Sequence, residues 1–230
     1  MDVNIENSAW DKLSYAEKNK QLFLKQKQTL EMFLERGAIS KAQHDKSLHD
    51  LIEKMGVEGS KMKKVSSWHI GVAGEAFAAA QFARYGIDVS VQYGANQPEY
   101  DLIATKGDKM LKVSVKGSQD GGWGLTQGYK KGCDYHEAID KWLAAHGKKT
   151  IFCLVQFQNV ADDQLPRMYL ATPAEIAQAL HDSRSGLGET VLRENHVWGE
   201  RASAAGTVDK LPEEWLFTEE RARQMFDTYA

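Results

Sequence analysis

Apolar residues return at helical spacing through the opening of the chain and then switch to alternation of period two. Leu22, Leu30, Phe33 and Leu34 recur at roughly helical spacing among many Lys and Gln, which predicts a helix. Ser14 followed by Glu17 reads as its capping box, and Gly37 stops it after Arg36. Ser40 with Gln43 opens a second helix, carried by Leu48, Leu51, Ile52 and Met55 and ended by Gly56. The short link from Gly37 to Ser40 makes this pair an antiparallel helical hairpin. Residues 57–65 (VEGSKMKKV) read as a basic, flexible linker, so residues 1–64 form one region.

From Ser66 the texture changes. A helix capped by Ser66 or Ser67 is expected to run to about Tyr85 and end at Gly86. Its apolar residues (Ile70, Val72, Ala73, Phe77, Ala80, Phe82) lie nearly all round, which predicts burial. Gly71 and Gly74 would let it approach another backbone closely. Ile87, Val89, Val91 and Tyr93 then alternate with polar residues as a half-buried strand. Tyr100–Thr105 and Met110–Lys116 follow as two strands around Gly107-Asp108, where Gly first favours a two-residue type II′ turn. Tyr135–His146 reads as a helix, and Thr150–Gln158 as a strand buried on both faces. Met168–Ala171 is a short strand, and Thr172-Pro173 caps a helix to about Leu180. The Gly-rich stretch 184–207 is expected as surface loop with some short structure, ahead of Trp215, Phe217 and an acidic helical tail. The organisation expected is therefore a core over 65–183 and a C-terminal extension over 184–230 packed on it.

The hairpin fixes a register. Lys106 faces Lys109, and pairing runs through Ala104–Leu111 and Leu102–Val113 to Asp101–Ser114 and Glu99–Lys116. Asp101 then lies opposite Ser114 with Lys116 a diagonal neighbour, at Cβ separations of about 4.5–5.5 Å and 7–8 Å. Glu75 is the one carboxylate in an otherwise apolar helix, a costly placement unless it pairs, binds a metal or reaches water. Exposure, or pairing with Arg84, is the bland reading of Glu75, and an edge-strand lysine is that of Lys116.

Composition narrows the choices. The 230 residues hold 29 Lys and Arg against 32 Asp and Glu, a net charge of −3, with 42% hydrophobic and 27% charged residues. That excludes wholesale disorder and argues against a general nucleic-acid coat protein. No run reaches the roughly 18 apolar residues of a membrane span, and the N-terminus has no apolar signal core. Two cysteines, Cys133 and Cys153, make no disulfide framework, so a reducing cytoplasm is the expected location. Residues 106–149 nevertheless carry nine Lys against five Asp and Glu. Within them, the loop Ser118–Gly132 (SQDGGWGLTQGYKKG) offers Trp123 and Tyr129 for stacking and Lys130 and Lys131 for phosphate, beside Ser114, Ser118 and Gln119.

Glu75, Asp101 and Lys116 together suit a hard divalent cation. Mg²⁺, or Mn²⁺, takes one or two carboxylates and leaves room for a substrate phosphate. Such an ion lowers the pKa of a bound water and neutralises charge on a phosphoryl oxygen, while a lysine steadies the developing charge.

GEAFAAAQFARYGIDVSVQYG followed by PEYDLIATKGDKMLKVSVKGS resembles the PD-(D/E)xK nuclease superfamily, in particular its small bacterial endonuclease-like domains and the archaeal Holliday-junction resolvases. The resemblance covers roughly residues 66–171. It implies an α/β fold with a restriction-endonuclease-like core, a mixed sheet flanked by helices. It also implies metal-dependent endonuclease activity, with DNA as the expected substrate. By that resemblance Glu75 is the helix acid, Asp101 the metal-bridging aspartate, Lys116 the catalytic lysine, and the Val115 carbonyl a further metal ligand. Ser114 stands where the family has Glu or Gln, and Pro98 lies three residues before Asp101. Ser114 keeps open a second reading, a catalytically degraded module that binds nucleic acid or a protein partner in an interaction or immunity role. The family often works as a homodimer. The N-terminal hairpin loosely resembles the SHOCT-like modules, which implies a protein contact through residues 14–56.

Other constellations are weaker. Cys133-x-x-His136 has no second ligand pair, so a zinc site is not expected. His69 reads as a solvent-facing helix-start residue. Gly122-Trp123-Gly124 does not extend to a nucleotide-binding loop, and no nucleophile elbow is present. Trp198, Trp215 and Phe217 read as packing residues.

Overall fold

The structure, a computed structural model, describes residues 15–55, 65–92, 100–161, 163–200 and 202–230. The Ser14 cap, the linker 57–64, Tyr93, Pro98 and the Glu99–Lys116 pair lie outside the described residues. The chain divides into two compact units, residues 1–61 and 62–230.

In the first unit, α1 (Tyr15–Glu35) and α2 (Lys41–Met55) are joined through Gly37. Gly37 sits at φ +68°, a left-handed conformation that ends α1 without a Cβ penalty. Ser40 and Gln43 form the expected reciprocal cap: the Ser40 amide donates to Gln43 Oε1 at 2.9 Å, and the Gln43 amide to Ser40 Oγ at 3.2 Å. Phe23 is buried, whereas Leu22, Leu24 and Phe33 are exposed.

The second unit is α/β, built on a five-stranded mixed sheet flanked by helices. Its order is β1 (Asp88–Val91), β2 (Leu102–Lys106), β3 (Lys109–Ser118), β5 (Thr150–Gln156) and β6 (Arg167–Ala171). β3 pairs with β5 in parallel, and the other neighbours are antiparallel. A parallel pair needs a crossover, supplied here by the segment containing α4 (Tyr135–Ala144). Gly107 has φ +63°, as the two-residue turn between β2 and β3 requires. Every residue of β5 is buried, because both sheet faces are covered.

One face (Leu111, Val113, Val115, Ile151, Cys153, Val155) packs on α3 (Ser67–Arg84) and on Phe217, Met225 and Phe226 around α6 (Glu219–Tyr229). The other face (Phe152, Leu154, Tyr169) packs on Ile139 and Trp142 of α4 and on Ile176 and Leu180 of α5 (Pro173–Gly186). Thr172 and Glu175 close a capping box on α5, with Pro173 in its first turn.

One expectation is corrected. α3 is not buried all round: Ile70, Gly74, Ala78, Gln81 and Phe82 face inward, whereas Val72 is 46% exposed. The many alanines of this helix make it apolar without giving it a second face to bury. The stretch 184–207 carries short structure, as expected. It holds β7 (Val191–Arg193), which pairs with the short β4 (Gly122–Gly124), and β8 (Asn195–Val197), which pairs with β9 (Val208–Lys210).

Candidate active site

The site begins with two glycines. A Cβ on Gly74 would lie 3.4 Å from the Gly117 Cα, and one on Gly117 would lie 2.4 Å from the Ile70 carbonyl oxygen. Helix α3 thus rests directly on the backbone of β3, as expected for Gly74. No atom lies within 4 Å of a Cβ built on Gly71, so that glycine makes no such approach. This seating places Glu75, next to Gly74, on the flank of α3.

Asp101 is positioned by an irregularity in the hairpin. The register runs from Lys106↔Lys109 to Leu102↔Val113 and stops there. The Asp101 amide donates to the Val113 carbonyl at 2.9 Å, so Asp101 and Leu102 both face the single residue Val113, the signature of a β-bulge. The expected Asp101–Ser114 pair is therefore not formed. Instead the Asp101 carboxylate accepts the Val115 amide hydrogen through Oδ2 at 2.6 Å. On the other side, the Gln92 amide donates to the Asp101 carbonyl at 2.9 Å. In a strand the N–H and C=O of one residue point to the same edge, so the Val115 carbonyl faces the side on which Asp101 sits.

Lys116 Nζ lies 4.0 Å from Asp101 Oδ2. The Glu75 carboxyl is raised above the ordinary range, first by partial burial and then by the charge of Asp101, with Lys116 acting the other way. Lys116 and Asp101 are thus paired, and the charges of both act on the Glu75 carboxyl. Arg84 turns to Gln81 at 3.1 Å and does not neutralise Glu75.

The donor set fits a hard cation: two carboxylates and a main-chain carbonyl, all oxygen, with the carboxylates repelling one another. Among the described residues no group of three or more His, Cys, Asp or Glu side chains gathers as a closed metal cage. Two carboxylates are nonetheless what Mg²⁺ takes from protein. Ser114 is buried, at 3% exposed, beside Phe152 of β5.

The proposed nucleic-acid contacts divide. Trp123 is 3% exposed, packs edge-on against Tyr169 and donates its indole N–H to the Lys116 carbonyl at 2.8 Å. It is a packing residue that fixes the Lys116 backbone, which corrects the stacking role expected of it. Ser118 is buried and donates to Asp120 at 3.0 Å, so it too is withdrawn from any ligand. Gln119 is held by Val65 through both amide groups, at 3.2 and 2.8 Å. Tyr129 and Lys131 are exposed, and Lys130 sits over the Tyr135 ring at 3.4 Å. A cavity of about 290 Å³ adjoins Lys116 and is lined by Ser67, Ile70, Gln119 and Asp120. Gly117 and Trp123 are the positioning residues that sequence reasoning missed. The GS after the lysine and the GWG turn were the only signals, and neither reveals its partner.

Cys133 donates to the Tyr129 carbonyl, and His136 stacks on His181 with planes 7° apart. His69 is exposed and bonded to Ser66 at 2.7 Å. Trp215 and Phe217 are buried. Among the described residues no helix is long and apolar enough to cross a membrane. Comparison with protein-family models, with curated proteins and with solved structures finds no match to this chain.

Proposed function

We propose that this protein is a metal-dependent endonuclease that hydrolyses phosphodiester bonds in DNA, on a restriction-endonuclease-like core. The observation that carries the proposal is the pairing of Lys116 with Asp101 just before the start of β2, with Glu75 of α3 within reach of both charges. The order α3, three antiparallel strands, α4 and a parallel β5 agrees with the layout the resemblance implies.

Asp101 and Glu75, with the Val115 carbonyl, are the groups to hold Mg²⁺ or Mn²⁺. When bound, such an ion supplies a water of lowered pKa and neutralises charge on the phosphate. Lys116 presents an ammonium at the same place, where it orients the attacking water and stabilises charge growing on the phosphoryl oxygens. Asp101 keeps that ammonium close, and the Val115 amide fixes the carboxylate in turn.

The test is cleavage of plasmid and oligonucleotide DNA with Mg²⁺ or Mn²⁺. Activity lost in both Asp101→Ala and Lys116→Ala, with unchanged circular dichroism, supports the proposal; cleavage that survives both sinks it. One observation favours a second reading. Ser114 is buried and cannot replace the carboxylate of the family pattern, as a catalytically silent binding module would allow. Calorimetric titration separates the two, because a silent module takes up no Mg²⁺ or Mn²⁺ that depends on Asp101. A homodimer, and a protein contact through residues 14–56, belong to the same proposal and are read by light scattering and by deletion of residues 1–61.

A further inference from the structure

Trp68 is 69% exposed, the most exposed of the large apolar side chains in the described residues. It lies in the first turn of α3, seven residues before Glu75. Seven residues make almost two full turns, so the two share one face of the helix, about 10 Å apart along its axis. Gly71 lies between them on that face, and a Cβ there would meet nothing within 4 Å. The strip from Trp68 to Glu75 is thus an exposed helix surface, open on the Gly71 side and edged by Val72 on the other, with an indole at one end and the candidate phosphodiester site at the other. The indole is propped: its ring meets His69 edge-on at 4.9 Å, and His69 is held by Ser66.

We infer that Trp68 stacks an unpaired base of the strand whose phosphodiester lies at Glu75, Asp101 and Lys116, so that the substrate is single-stranded or locally unpaired nucleic acid. The inference rests on the nuclease reading above. The 10 Å gap equals about three steps at the duplex rise of roughly 3.4 Å, and fewer in a more extended unpaired strand. Gly71 leaves room for the sugar-phosphate backbone between the two ends. A fully paired duplex covers the faces of its bases by stacking, so an exposed indole finds no partner there until a base is unstacked. Indole stacking needs no particular base, which predicts little sequence preference at this position.

The test measures binding of a fluorescein-labelled 12-nucleotide single-stranded DNA, and of the same strand in a blunt duplex, by anisotropy with Ca²⁺ in place of Mg²⁺. Trp68→Ala is expected to weaken single-strand binding about tenfold, and Trp68→Phe to restore it to within about threefold. Duplex binding should change by less than about twofold. Gly71→Leu, which has open space to fill, should weaken the single strand as well. Unchanged single-strand binding in Trp68→Ala overturns the inference and leaves Trp68 to a protein partner; equal losses on strand and duplex overturn it too. If the parent chain cuts DNA and loses activity in Asp101→Ala while Trp68→Ala binds normally, only the stacking role falls. If the parent neither cuts nor binds either DNA, the nuclease reading falls and takes this one with it.

Discussion

The Asp101 carboxylate accepts the Val115 amide hydrogen at 2.6 Å, so one aspartate both supports the sheet edge and serves the candidate reaction centre. Removing it should have two separable effects. Asp101→Ala leaves the Val115 N–H without its partner and is expected to cost about 1–3 kcal/mol. Asp101→Asn keeps an oxygen acceptor and should recover most of that stability while remaining inactive. Urea denaturation beside a nicking assay reads both; an active Asn variant contradicts the assignment.

Glu75 gives a stability effect of unusual sign. Its carboxyl holds a proton to higher pH in the folded chain than in the unfolded one, chiefly through burial and the neighbouring Asp101. Between the two pKa values the folded state binds more protons, so stability falls as pH rises through that window. Glu75→Gln removes the ionised carboxylate and should raise the melting temperature at neutral pH. The gain is expected to stay below about 1 kcal/mol because water screens the helix flank, or about 1–3 °C. It should vanish below about pH 4, where Glu is protonated in both states. Thermal melts across pH 4 to 8 test this, and a variant less stable at pH 7.5 refutes it.

Gly117→Ala is the smallest change that should displace the site. Its methyl would lie 2.4 Å from the Ile70 carbonyl, a backbone atom that moves only if α3 moves. Overpacking of this kind costs about 1–3 kcal/mol. Lifting α3 carries Glu75 away from Asp101, so cleavage should drop sharply with Asp101 and Lys116 intact. A Gly117→Ala chain of parental activity would show that the seating of α3 is irrelevant to the chemistry.

Far from the site, Arg221 anchors the last helix. It is 6% exposed, bonds Glu175 Oε1 at 2.6 Å and donates to the Leu170 carbonyl at 3.2 Å. Arg221→Leu breaks a part-buried ion pair and a bond to a main-chain carbonyl, and should cost about 2 kcal/mol, lowering the melting temperature by roughly 4–8 °C. Single-strand binding at 25 °C should persist. Calorimetry with the anisotropy assay checks the pair, and an unchanged melting temperature rules the anchor out.

Much of the second unit is legible from local rules. Gly107 specifies the turn and hence the register as far as Leu102↔Val113, and Thr172, Pro173 and Glu175 announce the start of α5. The unbroken apolar run of β5 predicts its burial on both faces. Features set by distant partners are not legible. β4 looks like a loop because three residues flanked by glycines become a strand only against β7, some seventy residues later. Trp123 is hidden for the same reason, since its indole finds the Lys116 carbonyl only once the sheet exists. The bulge at Asp101 leaves no periodicity to read, and alternation alone carries the register one pair too far. The candidate triad is legible because its members are rare types in their settings, Glu75 above all.

β3 outlasts its neighbour: β2 ends opposite Val113, while β3 continues to Ser118. Beyond that point β3 stays paired with β5, and on its other edge the Val115 amide meets the Asp101 carboxylate in place of a strand. On the proposed function, a rim of this sort offers a metal ligand that no side-chain replacement at Val115 can erase, since its oxygen belongs to the main chain. Tolerance at position 115, together with intolerance to anything that lengthens β2, is the expected mark of a centre assembled from an unfinished edge.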